Sequence, residues 1–209
     1  MTKETLAIPE LEGVEIHGTT RGAFLLRATL AAGAVYGAGA VAPFVKQAMA
    51  QGGMGDVDIV NYALTLELLE TAFYKKGESL KLSSEVKKLA SQFGKDEAEH
   101  VDALTATVKK LGGKPPKKPT FTFPVKDEKS FLELAVTLED TGVSAYNGAA
   151  PMIKSKDVLA AALSIHSVEA RHAAALNTLI GKSVTPDGAF AKPASMDKVL
   201  KAVKPFIAS

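Results

Sequence analysis

Four chemically capable residues recur in this chain at one fixed interval. Glu67, Tyr74, Glu97 and His100 return as Glu139, Tyr146, Glu169 and His172, each 72 residues later. The flanks repeat with them: Ala63-Leu-Thr-Leu-Glu67 answers Ala135-Val-Thr-Leu-Glu139, and Glu97-Ala-Glu-His100 answers Glu169-Ala-Arg-His172. Glu97 and His100 are three apart, so on a helix both project from one face, and Glu169 and His172 do the same. Glu67 and Glu139 sit among apolar neighbours: Leu64, Leu66 and Leu68 around one, Val136 and Leu138 around the other. A carboxylate placed there is exposed, paired or metal-bound, because burying it bare costs several kcal/mol or shifts its pKa. Glutamates crowded at one bundle centre repel each other, and two divalent cations remove that repulsion. Two copies of a Glu helix followed by a Glu-x-x-His helix match a di-iron or di-manganese carboxylate site in a four-helix bundle. The expected ligands are Glu67, Glu97, His100, Glu139, Glu169 and His172, one histidine per metal, with two of the glutamates bridging. Hard oxygen donors with imidazole suit iron and manganese, and zinc also accepts these donor types.

Tyr74 and Tyr146 each lie seven residues beyond their glutamate, two turns along the same face. Each phenol can hydrogen-bond a carboxylate of the site from behind the ligands; the alternative is a core filler with a satisfied hydroxyl. Glu70 and Glu99 stand near the ligands but have Gly142 and Arg171 as counterparts, so they read as solvated or salt-bridged. His166 has Gly94 as its counterpart and reads as structural or as an outer partner of the site. His17 lies in the leader and carries no weight.

Positioning these residues takes four helices. A first helix is expected over Val57 to Lys76, with Asp56 as N-cap and Gly77 as stop, and a second over Ser84 to Leu111, ended by Gly112-Gly113. The spacing of Val86, Leu89, Phe93, Val101, Leu104 and Val108 is helical. Pro115, Pro116 and Pro119 then forbid helix and impose an extended stretch. It is too long for a tight turn and reads as one long crossover between the second and third helices. The third helix is expected over Glu128 to Ala149, stopping before Pro151, and the fourth over Lys156 to Ile180, with Ser155 as cap and Gly181 as stop. A loop follows to Pro193, then a short amphipathic helix from Met196 to Ile207 laid against the bundle.

The chain has 209 residues, enough for one domain with a substantial core. Its 25 Lys and Arg against 23 Asp and Glu give a net charge of +2 with no long basic run, which argues against a nucleic-acid partner. With no cysteine, disulfides, thiolate zinc sites, iron–sulfur clusters and thiol catalysis are excluded. Residues 1–50 read as an export signal ahead of the bundle at 51–209. Arg21 and Arg27 flank Gly22-Ala-Phe-Leu-Leu26, an apolar run extends from Ala28 through Val45, and Ala48-Met-Ala50 fits a signal-peptidase site. Thr20-Arg21-Gly-Ala-Phe-Leu25 is similar to a twin-arginine signal with its second arginine replaced by Gly22. Sec export is the alternative, and an uncleaved membrane anchor is a third reading. Cleavage implies a periplasmic, cell-surface or extracellular protein; the membrane is a partner only if the segment is retained.

In Asn61-Tyr-Ala-Leu-Thr-Leu-Glu67, Glu97-Ala-Glu-His100, Glu139 through Tyr146 to Pro151, and Val168-Glu-Ala-Arg-His172, the chain resembles the ferritin-like superfamily over roughly residues 55 to 181. More narrowly, it resembles exported bacterial ferritin-like domain proteins related to the plant desiccation-related proteins. The resemblance implies an all-α ferritin-like bundle with a pair of Fe or Mn ions. It does not choose among storage, oxidase, catalase and rubrerythrin-like chemistry. A rubrerythrin-like peroxidase usually carries a rubredoxin-type iron site, which a chain without cysteine cannot build; peroxide disproportionation at a manganese pair needs no donor. The expectation is a redox or peroxide-handling oxidoreductase with peroxide or O2 as substrate. The alternative is a non-catalytic metal-binding, sequestration or desiccation-related structural protein, and a homo-oligomer is open in both cases.

Overall fold

A computed structural model of the chain describes residues 55–207, and the leader with its signal or anchor readings lies outside the described residues. Five α-helices follow in order: α1 (Asp56–Gly77), α2 (Ser84–Lys110), α3 (Glu128–Ala149), α4 (Lys156–Leu179) and α5 (Met196–Val203). Among the described residues there is no strand, only a single bridge between Phe121 and Ile207. The first four helices form the expected all-α bundle, α1 pairing with α2 and α3 with α4. None of the described helices is long and apolar enough to cross a membrane.

Local chemistry sets most helix ends. Ser83, Asp127, Ser155 and Ser195 each accept a hydrogen bond from a backbone N–H of the first turn they precede. Gly112 and Gly181 take positive φ, 78° and 72°. Each closes a helix by the same paired bonds: Gly113 N–H to Val108 O (2.9 Å) with Gly112 N–H to Lys109 O (3.0 Å), and Lys182 N–H to Asn177 O (2.8 Å) with Gly181 N–H to Thr178 O (3.1 Å). One expected cap is corrected. Gly55, not Asp56, is the N-cap of α1. The Asp56 carboxylate instead accepts the Lys154 and Ser155 N–H groups at 2.8 and 2.7 Å, tying the start of α1 to the start of α4.

α1 is buried on nearly every side, from Ile59 and Val60 through Leu64, Leu66, Leu68 and Leu69 to Phe73, as a helix apolar all round should be. Phe73 stacks on Phe131 (4.8 Å) and meets Phe123 edge-on (5.3 Å), which closes that end of the bundle. Gly77 has to be small because a Cβ there would fall 2.7 Å from the Phe131 ring. The crossover is held by the chain's end: Thr122 N–H donates to Phe206 O at 2.9 Å, and Phe123 stacks on Phe206. The last helix is therefore shorter than its sequence suggests. It stops at Val203 and tightens into a 3-10 turn over Lys204–Phe206 around Pro205, which has no N–H to continue the ladder. Ile207 then leaves to pair with Phe121.

Candidate metal centre

Helix direction brings the two repeats face to face. Tyr74 of α1 donates its O–H to Glu139 of α3, and Tyr146 of α3 donates to Glu67 of α1 at 2.5 Å. These crossed bonds require α1 and α3 to be antiparallel, related by a local two-fold. Each tyrosine serves the glutamate of the other copy, which a reading of one repeat at a time does not show. α2 and α4 are antiparallel as well: His100 meets Glu169, and His172 meets Glu97.

All six residues singled out by the repeat converge at the bundle centre. Glu67, Glu97, Glu139 and Glu169 are 0% exposed, and His100 and His172 are buried beside them. His100 Nδ1 lies 3.1 Å from Glu67, 3.0 Å from Glu97 and 3.3 Å from Glu169. His172 Nδ1 lies 3.0 Å from Glu97 and 3.4 Å from Glu139. Two overlapping groups result, Glu67-Glu97-His100-Glu169 and Glu97-Glu139-Glu169-His172, with one donor atom from each member within 4.8 Å of the others. Glu97 and Glu169 belong to both.

Whether these residues suit cations is decided by the donors left over. Glu169 Oε2 is buried with no hydrogen-bond partner, and Glu97 Oε1, Glu139 Oε2 and Glu169 Oε1 meet only histidine Nδ1 atoms, at 3.0, 3.4 and 3.3 Å. Buried carboxylate oxygens are rarely left so sparsely partnered in folded proteins, and here four face one centre. Oxygen donors with imidazole nitrogen complete a set that fits hard or borderline divalent ions. The buried Glu/His groups could therefore hold metal ions.

The charges interlock. Burial drives Glu67 up to about 8, and it raises Glu139 and, much further, Glu169. Burial also works to raise Glu97, but bonds from His100 and His172 outweigh it and hold that carboxyl at about 2. Burial opposes the charge on each histidine, yet Glu169, Glu67 and Glu97 push His100 up to about 12, and Glu139 and Glu97 push His172 up to about 10. Burial first, then the carboxylates they serve, lift Tyr74 and Tyr146 well above the usual phenol range, so both act as O–H donors.

Two residues depart from their sequence reading or escaped it. Glu70 is not solvated or salt-bridged but 3% exposed, and its Oε2 has no partner. Asp96 accepts from His172 Nε2 at 3.2 Å, which turns Nδ1 toward the centre, and Phe93 stacks on the same imidazole at 3.9 Å. The repeat hides Asp96, since its counterpart is the apolar Val168; its place beside Glu97 was the one available signal. Glu99 is exposed, as expected. His166 lies near Tyr146, with ring centroids 6.4 Å apart, while its counterpart Gly94 leaves space where a Cβ would come within 3.0 Å of Tyr74. That agrees with a structural or outer role.

Comparison with known proteins fits this geometry. The ferritin-like domain matches residues 55–182. Among solved structures, a conserved hypothetical protein from Mycobacterium tuberculosis shares the fold at 20% identity and a TM-score of 0.56, over 67% of this chain and 95% of that one. No curated protein matches the chain.

Proposed function

Since the chain belongs to the ferritin-like domain family, we propose that it holds two iron or manganese ions and works as an oxidoreductase on peroxide or O2. Glu67 and His100 would serve one ion, Glu139 and His172 the other, and Glu97 and Glu169 both. One observation carries this reading: two buried four-donor groups share Glu97 and Glu169, and among the described residues their carboxylates meet no Lys or Arg, only the two histidines of the same groups. Iron or manganese bound there supplies a reversible store of electrons. The protein's own part is to hold the donors. Tyr74 and Tyr146 fix one oxygen of Glu139 and of Glu67, leaving the second oxygen of each beside His172 and His100.

Complete burial of the four carboxylates favours a small substrate. Peroxide disproportionation balances without an outside donor: one H2O2 takes two electrons and two protons to give two waters, and a second returns them and leaves as O2. The leader over residues 1–50, read as an export signal, sets this activity outside the cytoplasm. The experiment is metal analysis of the purified protein and of the Glu97→Ala/Glu169→Ala double variant, with O2 release from H2O2 measured on Mn- and Fe-loaded samples. Loss of metal in the variant with turnover in the parent supports the reading. Equal metal content in both refutes the site. Metal without turnover, including with O2 and an added electron donor, leaves sequestration or a stress-structural role.

A further inference from the structure

The local two-fold is broken at two acidic positions: Asp96 against Val168, half-buried behind His172, and Glu70 against Gly142, which is buried. Glu70 lies one turn beyond Glu67 on α1, and the residue at its repeat position on α3 is Gly142. A Cβ at Gly142 would fall 2.7 Å from Glu169 Oε2 and 3.4 Å from Glu70 Oε1. The space a side chain would fill is thus shared by two carboxylates, one of them a member of both donor groups. Glu70 is 3% exposed, and its Oε2 has no hydrogen-bond partner. Leu66, Leu69, Leu138 and Val203 line the gap beside Gly142, and its other polar side chain, Thr141, donates its hydroxyl to Thr137 O. No cation from Lys or Arg is paired with it among the described residues. A carboxyl so placed has one charged neighbourhood to answer to, the bundle centre.

We propose that Glu70 is a fifth carboxylate donor to the metal pair, reaching it through the gap at Gly142 on the Glu139–Glu169 side. This rests on the di-metal reading above and deepens it. Four carboxylates balance two divalent ions; a fifth adds one negative charge and one donor on a single side. The two ions are then inequivalent although their main ligands repeat, and they differ in affinity and coordination number. Gly142 has a matching role, since any larger residue would displace Glu169 and close the approach.

The test is a Co(II) titration of the chelator-treated full-length protein, followed by visible absorption, with Glu70→Gln, Glu70→Asp and the exposed Glu133→Gln as a control. Circular dichroism confirms the fold of each. Wild type and the control should bind two Co(II) per chain. Glu70→Gln should bind one of the two at least about 10-fold more weakly, the lower end of what loss of supporting partners costs metal sites, and its absorption should intensify as that ion loses a donor. Glu70→Asp keeps the charge but draws the carboxylate back by one methylene, so it should show the same loss; it also decides the matter if the glutamine variant does not fold. Unchanged affinities and spectra in both variants overturn the inference and leave the di-metal reading intact. A glutamine variant that weakens while the aspartate variant matches wild type overturns it too, because charge alone would then suffice. A wild type that takes up no Co(II) refutes the di-metal reading itself.

Discussion

Stripping metal from this protein should make it less stable as pH rises through neutrality, and adding metal should reverse that trend. In the chelated chain at pH 7, Glu67 (about 8), His172 (about 10) and His100 (about 12) hold protons. Unfolded, a glutamate is ionised at that pH and a histidine is roughly a quarter protonated. The fold therefore binds roughly two protons more than the unfolded chain, which is a slope of about 3 kcal/mol of lost stability per pH unit. All three folded values are raised, so their contribution is full below the unfolded values, about 4.3 for Glu and 6.5 for His. It is lost as pH climbs through the folded ones. Glu139, Glu169 and Glu70 are raised as well and act in the same direction. Glu97 acts oppositely, being lowered to about 2, but its contribution is lost only in acid as pH falls through that value. For a domain of this size the melting temperature should fall on the order of 10 °C per pH unit between 6.5 and 7.5. Metal binds neutral imidazole and ionised carboxylate, so its entry should release these protons, about two to three per chain at pH 7. The stabilisation by metal should accordingly widen from pH 5 to 8. Thermal unfolding of chelated and Mn-loaded protein across that range, with proton release read by an indicator dye in weak buffer, measures both. A chelated protein whose melting temperature is flat or rises from 6.5 to 7.5, or metal uptake releasing less than one proton, would refute the reasoning.

Other outcomes follow from single contacts. Asp96→Asn weakens the acceptor behind His172 and should lower affinity for one ion about 10-fold, read by competition with a chromophoric chelator; equal affinity would show that Asp96 does not orient the ring. Tyr74→Phe and Tyr146→Phe each remove the donor to a buried carboxylate and should each cost about 1–3 kcal/mol in denaturant unfolding. The local two-fold requires similar losses, so a loss in only one would contradict it. Gly148→Ala would set a Cβ 1.9 Å from the Ala194 carbonyl oxygen and break the seat where Ala194 N–H donates to Ser144 O at 2.9 Å. The expected cost is about 1–3 kcal/mol, and a melting temperature equal to wild type would refute that account.

Local sequence sets the helices and marks the residues at their centre. Helix ends rest on interactions within about four residues, so Ser155, Gly112 and Gly181 could be read as cap and stops, and α3 runs over the residues its pattern marks. The six centre residues were legible because duplication wrote them twice at one spacing, and burial of Glu67 and Glu139 follows from their apolar neighbours. Packing between distant helices sets the rest. It assigned Tyr74 to Glu139 and Tyr146 to Glu67, and it placed Glu97 and Glu169 in both donor groups. It turned Asp56 from a cap of its own helix into a tie to α4, some 98 residues away in sequence. Above all it buried Glu70, whose surroundings are set by the missing side chain of Gly142 on the facing helix. A repeat shows which residues the two halves share; the contacts that make the halves differ lie across the bundle, where one-dimensional spacing carries no information.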